Sequence, residues 1–319
     1  MLRLWVANTD YSWFSYLSGQ PSVDEVNFWQ PSGKDSFKAI SEGELFLFKL
    51  KSPYNAIAGY GVFSQSSNLP LSTAWDAFGY KNGVDSLDEM RRRIAAFRND
   101  KSNGFDDYTI GCRVVVQPVF FPEHLWIPQP ASWGKSIVVG KTYSTAESDG
   151  LRLWERIQEA TDALRMPTPG LIAGLSDNRI GYNADVPKFG VPTLIKPRLG
   201  QGAFRLGVIE AYERQCALSG GRVLPALDAA HIRPYSRGGG HEVSNGLLLR
   251  KDIHSVFDAG YATFDEAGRF VVSDKVRTVF NNGSEYRRMH GSQLIMPPTP
   301  KNYPDLAAME WHRQNVFLG

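Results

Sequence analysis

A chain of 319 residues is long enough for two separate cores, and 42% hydrophobic with 21% charged residues excludes a disordered polymer. Basic and acidic residues number 35 and 33, a net charge of +2, so any nucleic-acid-binding surface must be local rather than global. Two cysteines, Cys112 and Cys216, exclude both a disulfide framework and a four-cysteine zinc site. The first eight residues lack the apolar core of a signal peptide, and no apolar run reaches membrane-spanning length. A cytoplasmic location with no membrane partner is expected.

Residues 1–148 read as mostly β. The stretches 2–7, 45–50, 56–63 and 109–121 are rich in branched and aromatic residues and are bounded by Gly, Pro, Ser or Asn. A polar, helix-like segment lies at 86–98. Many short strands with one or two inserted helices predict a small, strongly curved barrel. The pattern Val26-Asn27-Phe28-Trp29-Gln30-Pro31, then Gly43-Glu44-Leu45-Phe46, then Gly59-Tyr60-Gly61 resembles PUA-superfamily modules of the EVE and YTH kind. That resemblance implies a reader that extrudes a base into an aromatic pocket. Tyr11, Trp13, Phe14 and Trp29 are the aromatic candidates, and Asn27 and Ser32 are the polar edge contacts. Lys49 and Lys51, at a strand end, are candidates for backbone phosphate.

The periodicity of Leu151, Trp154, Ile157 and Leu164 predicts a helix. Five prolines between 166 and 197 then predict a linker and extended arm, so 149–196 reads as helix plus linker. The second domain spans 197–319. A helix is expected from about 202 to 216, stopped by Ser219-Gly220-Gly221. Arg198, Gln201 and Arg205 resemble a recurrent opening of nuclease domains that follow reader domains.

Residues 228–258 carry the densest chemistry: His231, Asn245, His254 nine residues later, and Asp258 four beyond that. The pattern is strand, Gly-rich loop, strand, helix. His254 and Asp258 stand at i and i+4, which puts two metal ligands on one helical face. The stretch resembles the ββα-metal motif of the HNH endonucleases. The resemblance implies His231 as general base, Asn245 as a brace that orients it, and His254 with Asp258 as metal ligands. The family often has a ligand just before the base, where this chain has Ala230. Asp228, two residues earlier on the same strand face, is the expected substitute. Carboxylate and imidazole with open water positions suit Mg2+ or Mn2+, and Ni2+, Co2+ or Zn2+ are compatible. Arg233, Arg237 and Arg205 are candidates for DNA phosphate contacts. His241 reads as a solvated loop side chain, and His290 and His312 as packing or surface groups.

The fold expected is α+β: an N-terminal PUA-like curved β-barrel with inserted helices, then a C-terminal ββα-metal HNH nuclease domain. The function expected is a modification-dependent, type IV-like restriction endonuclease. It would flip a modified cytosine, 5-methylcytosine or 5-hydroxymethylcytosine, from double-stranded DNA and cut nearby. One active site per chain suggests a homodimer or paired binding. Two other readings stand beside it. One is an HNH nuclease of repair or toxin type whose first domain reads RNA, DNA structure or a protein. The other is a non-catalytic nucleic-acid-binding protein.

Overall fold

The computed structural model describes residues 1–34, 36–98, 106–165, 194–195 and 199–319. Arg198 and most of the expected linker arm lie outside the described residues. The chain divides into two compact units, 1–198 and 199–319, each with its own core.

In the first unit, β1 (Arg3–Thr9) leads directly into α1 (Tyr11–Ser18). Asp10 holds the N-cap position of α1, yet its carboxylate turns to Lys51, 2.6 Å away, instead of capping. The strands β2 (Glu25–Asn27), β3 (Leu45–Leu50) and β4 (Ala56–Pro70) follow, then α2 (Leu71–Phe78) and α3 (Leu87–Phe97). Ser86 caps α3 by accepting the Glu89 N–H at 3.3 Å, and Asp88 and Glu89 favour its first turn. The unit closes with β5 (Thr109–Phe120), β6 (Ile127–Pro128), β7 (Gly140–Ser144) and α4 (Ser148–Arg165).

The sheet order is β2-β5-β4-β3-β1-β7, with β6 on β4. Among the described residues, β1 and β3 pair in parallel and the other ladders of this sheet are antiparallel. Among the described residues the pairings end at β2 and β7 without joining them, so the sheet is open where a barrel was expected. β4 carries register shifts between Tyr60 and Val62 and between Phe63 and Gln65, irregularities of the kind that bend a strand. Gly61 is required at that bend, because a Cβ there would meet Val115 Cγ1 at 2.5 Å.

The core lies between α1 and the sheet, where Phe14, Phe28, Phe46, Phe48 and Val115 are buried together. Each such side chain contributes roughly 1.5–3 kcal/mol. Helix α4 buries Trp154 and Ile157, and Thr161 shares a 3.2 Å hydroxyl hydrogen bond with Tyr60.

The second unit starts with α5 (Gln201–Ala211). It ends five residues before the expected stop. Glu213 and Arg214 both take positive φ, and just after them the Ala217 N–H donates to Leu248 O at 2.7 Å. Strands β8 (Leu227–His231) and β9 (Gly246–Arg250) form an antiparallel pair with His231 opposite Gly246. Helix α6 (Lys251–Asp258) follows β9 without a loop and buries Ile253 and Phe257. Strands β10 (Ala262–Phe264) and β11 (Phe270–Val272) pair, and α7 (Lys275–Phe280), α8 (Ser284–Arg287) and α9 (Leu306–Asn315) complete the unit.

His312 pins α9 to this core. Its Nε2–H donates to Phe257 O at 3.1 Å, so Nδ1 accepts from the Thr263 hydroxyl at 2.9 Å. Burial lowers its pKa from 6.5 to about 4. Across that window the unfolded chain binds a proton that the folded chain refuses. The thermal midpoint of the second unit should therefore fall as pH drops from about 6.5 to about 4. A His312→Leu variant should show a flatter profile over the same window; an unchanged slope would remove His312 from the account.

Candidate active site

The end of β8 presents His231 beside α5. The imidazole stacks on Phe204, with centroids 3.8 Å apart and planes 16° from parallel. That approach needs Gly246 opposite, since a Cβ there would lie 2.4 Å from Val208 and 2.9 Å from the Phe204 ring. His231 Nε2 lies 3.2 Å from His241 Nδ1. His241 in turn stacks on Tyr235 at 4.8 Å and 6°. Burial first, then the neighbouring His241, push the His231 pKa down to about 4. The ring is neutral near pH 7 and can accept a proton.

Asn245 is buried and fully engaged. Its Oδ1 accepts from the Arg233 N–H at 3.0 Å, and its Nδ2 donates to Arg233 O and Gly240 O, both at 2.9 Å. One side chain thus ties the chain just after the base to the Gly-rich loop. Gly239 allows the loop to pass so close: a Cβ there would sit 1.9 Å from Arg233 O.

On α6, His254 and Asp258 face one way, one turn apart. His254 Nε2 is 3.1 Å from Asp258 Oδ2, and its Nδ1 is 3.0 Å from Asp228 Oδ2. Asp228 is itself held by Arg205 Nη1 at 3.1 Å and by the Ala229 N–H at 3.1 Å. Burial opposes ionisation of Asp228, but His254 and Arg205 outweigh it and hold the carboxyl below its usual range. Burial likewise disfavours a charged His254, yet the two carboxylates raise its pKa to about 9.

This donor set fits a divalent ion with two protein ligands. Donors about 2.1 Å from an ion at adjacent octahedral corners are about 3 Å apart, which matches His254 Nε2 and Asp258 Oδ2. An ion at Nε2 takes the place of the ring proton. Asp228 lies on the other nitrogen. From there it would orient His254 as a ligand, whereas strand alternation led to the expectation of a substitute ligand. Among the described residues no group of three or more His, Cys, Asp or Glu is arranged to hold a metal ion together.

The expected phosphate contacts separate by geometry. Arg205 is committed to Asp228. Arg233 donates its Nε–H to Arg237 O at 2.7 Å and lies over Trp311 at 5.2 Å, whereas the Arg237 side chain is exposed. Lys49 is 3% exposed and points inward, donating to Asn8 Oδ1 at 3.3 Å beside the Trp133 ring. Burial and then Lys51 lower its pKa. Its ammonium is therefore turned away from any phosphate.

In the first unit a cavity of about 750 Å³ is walled by Tyr11, Trp13, Phe28, Trp29 and Phe97, with Asp10 and Lys51 also on its lining. Trp29 is fixed by donating its indole N–H to Asn82 O at 2.9 Å. Three expected pocket residues stand elsewhere. Phe14 packs edge-on against Phe120 and Trp126, and Ser32 is exposed and outside the walls. Asn27 is fully buried, donating to Asn82 Oδ1 at 2.8 Å and Cys112 Sγ at 3.4 Å while accepting from the Arg113 N–H at 3.2 Å. No hydrogen-bonding edge of Asn27 is left for a base.

Sequence reasoning missed Phe97, Asp10 and His241. Asp10 adjoins Tyr11, and His241 follows three glycines and precedes Asn245 by four residues, the only local signals available.

Residues 216–265 match the family HNH_2, HNH endonuclease, and the second unit carries an HNH endonuclease domain. Among solved structures, a modification-dependent TagI restriction endonuclease aligns over 93% of this chain and 77% of its own, with 13% identity and a TM-score of 0.29. An ASCH protein from Zymomonas mobilis aligns over 46% of this chain and 94% of its own, with 9% identity and a TM-score of 0.31. No curated protein matches the chain. No helix among the described residues is long and apolar enough to cross a membrane.

Proposed function

We propose that this chain is a modification-dependent DNA endonuclease. Its first unit, a PUA-like reader, takes a flipped 5-methylcytosine or 5-hydroxymethylcytosine into the aromatic cavity, and the HNH unit hydrolyses phosphodiesters nearby. One observation carries the reading: a neutral, half-buried imidazole shares a small unit with an imidazole–carboxylate pair at co-ligand spacing.

His231 removes the proton of the attacking water. Asp228, anchored by Arg205, holds the His254 ring so that Nε2 faces Asp258. His254 and Asp258 would hold Mg2+ or Mn2+, which when bound would supply Lewis acidity to the phosphate. Arg237, exposed on the loop after the base, is placed to approach a phosphate oxygen.

The cavity volume supports the reader half, because it lies within the range of ligand pockets. Flipping costs a few kcal/mol. Stacking on Trp29, Phe97 and Tyr11 offsets it at roughly 1–3 kcal/mol per base.

The test uses matched plasmids carrying cytosine, 5-methylcytosine, 5-hydroxymethylcytosine or N6-methyladenine, with Mg2+ or Mn2+. Cleavage restricted to modified cytosine is expected. Trp29→Ala should weaken that preference by about 10- to 100-fold. Equal cutting of all four plasmids would overturn the reader half.

A further inference from the structure

His241 sits in a loop that should leave it solvated, yet three fixations converge on it. Tyr235 stacks flat on its ring. Asn245 grips the carbonyl of Gly240, the residue immediately before it. Its Nδ1 meets His231 Nε2 at hydrogen-bonding distance, 3.2 Å.

A hydrogen bond between two imidazole nitrogens holds one proton, and its sense decides whether His231 can work. If His231 donates from Nε2, its lone pair lies on Nδ1 and the ring can accept the water proton. If His241 donates instead, His231 carries its proton on Nδ1 and has no lone pair to offer. We propose that His241 is the positioning residue of the general base, accepting the Nε2–H of His231 and so holding it in the tautomer whose free nitrogen is Nδ1. This rests on the nuclease reading above.

The step balances simply. The water O–H bond breaks and its oxygen bonds to phosphorus as the bond from phosphorus to the leaving oxygen breaks; the water proton goes to His231 Nδ1 while Nε2–H stays on the ring, and the leaving oxygen takes a proton from solvent. The resulting imidazolium is a stronger donor than the neutral ring, so its bond to His241 tightens as the reaction proceeds. An interaction that strengthens toward the transition state acts on kcat more than on KM.

Two variants separate this role from packing. His241→Phe keeps an aromatic ring against Tyr235 but offers no acceptor. His241→Asn places an amide oxygen where Nδ1 stood and gives up the stack. With 5-hydroxymethylcytosine plasmid and Mg2+, His241→Phe should lose about 10- to 100-fold in kcat with KM little changed. His241→Asn should recover most of that loss. Equal losses in both variants, or full activity in His241→Phe, would overturn the proposal. Nitrogen NMR of the histidine rings gives a readout independent of cleavage. His231 protonated on Nε2 in the wild type, and redistributed in His241→Phe, supports the proposal even if the wild type cuts no DNA, an outcome that faults the nuclease reading alone. His231 protonated on Nδ1 would sink it whatever the activity.

Discussion

Replacing His231 by alanine should slow metal-dependent cleavage of modified plasmid by about 10²–10⁴-fold, the usual worth of a positioned general base. The size of the loss follows from the state of this imidazole. Burial against Phe204 and the neighbouring His241 keep it neutral well below pH 7, so it is ready to accept a proton across the working range. Two other histidines of this unit, His254 and His312, are committed to other partners. His254 holds two carboxylates, and His312 is locked between Thr263 and Phe257. Retention of modified-DNA binding in a gel shift, beside the lost rate, would locate the defect in the chemical step. A variant within tenfold of wild type would assign the base elsewhere.

How much of this site was legible follows from how local each feature is. His254 and Asp258 are one helical turn apart, and strand, loop, strand and helix run without interruption, so the spacing alone specifies their side of the site. The anchoring of Asp228 by Arg205 depends on α5 packing across β8, which no short pattern reports. The same limit misplaced Asn27. Beside Phe28 and Trp29 it reads as a polar pocket edge, but its partners Asn82 and Cys112 stand 55 and 85 residues away and bury it. Lys49 at the end of β3 looked like an exposed strand terminus, and only the fold turns it inward to Asn8. Four strands of the first unit, β1, β3, β4 and β5, were visible from branched and aromatic runs, while the short β2, β6 and β7 were not. Their order was not, because β7 reaches β1 from about 136 residues downstream, farther than any local pattern extends.

The second large effect is expected at the metal pair, and it distinguishes two roles that the sequence left merged. His254→Ala removes one of two protein donors, so Mn2+ affinity measured by calorimetry or paramagnetic resonance should fall below detection. Cleavage should fall by at least about 10²-fold, since polarisation of the phosphate goes with the ion. Asp258→Ala should follow closely, because its carboxylate shares the Nε2 side. Asp228→Ala should be milder, weakening Mn2+ binding by about 10- to 100-fold without abolishing it. The reason is geometric: Asp228 bonds Nδ1, and the two ring nitrogens of an imidazole point their lone pairs in divergent directions. One ion at Nε2 cannot also meet the Asp228 carboxylate where it now stands. If Asp228→Ala abolished Mn2+ binding as completely as His254→Ala, the carboxylate would have to swing onto the metal. Asp228 would then be the ligand that stands in for the one absent at Ala230.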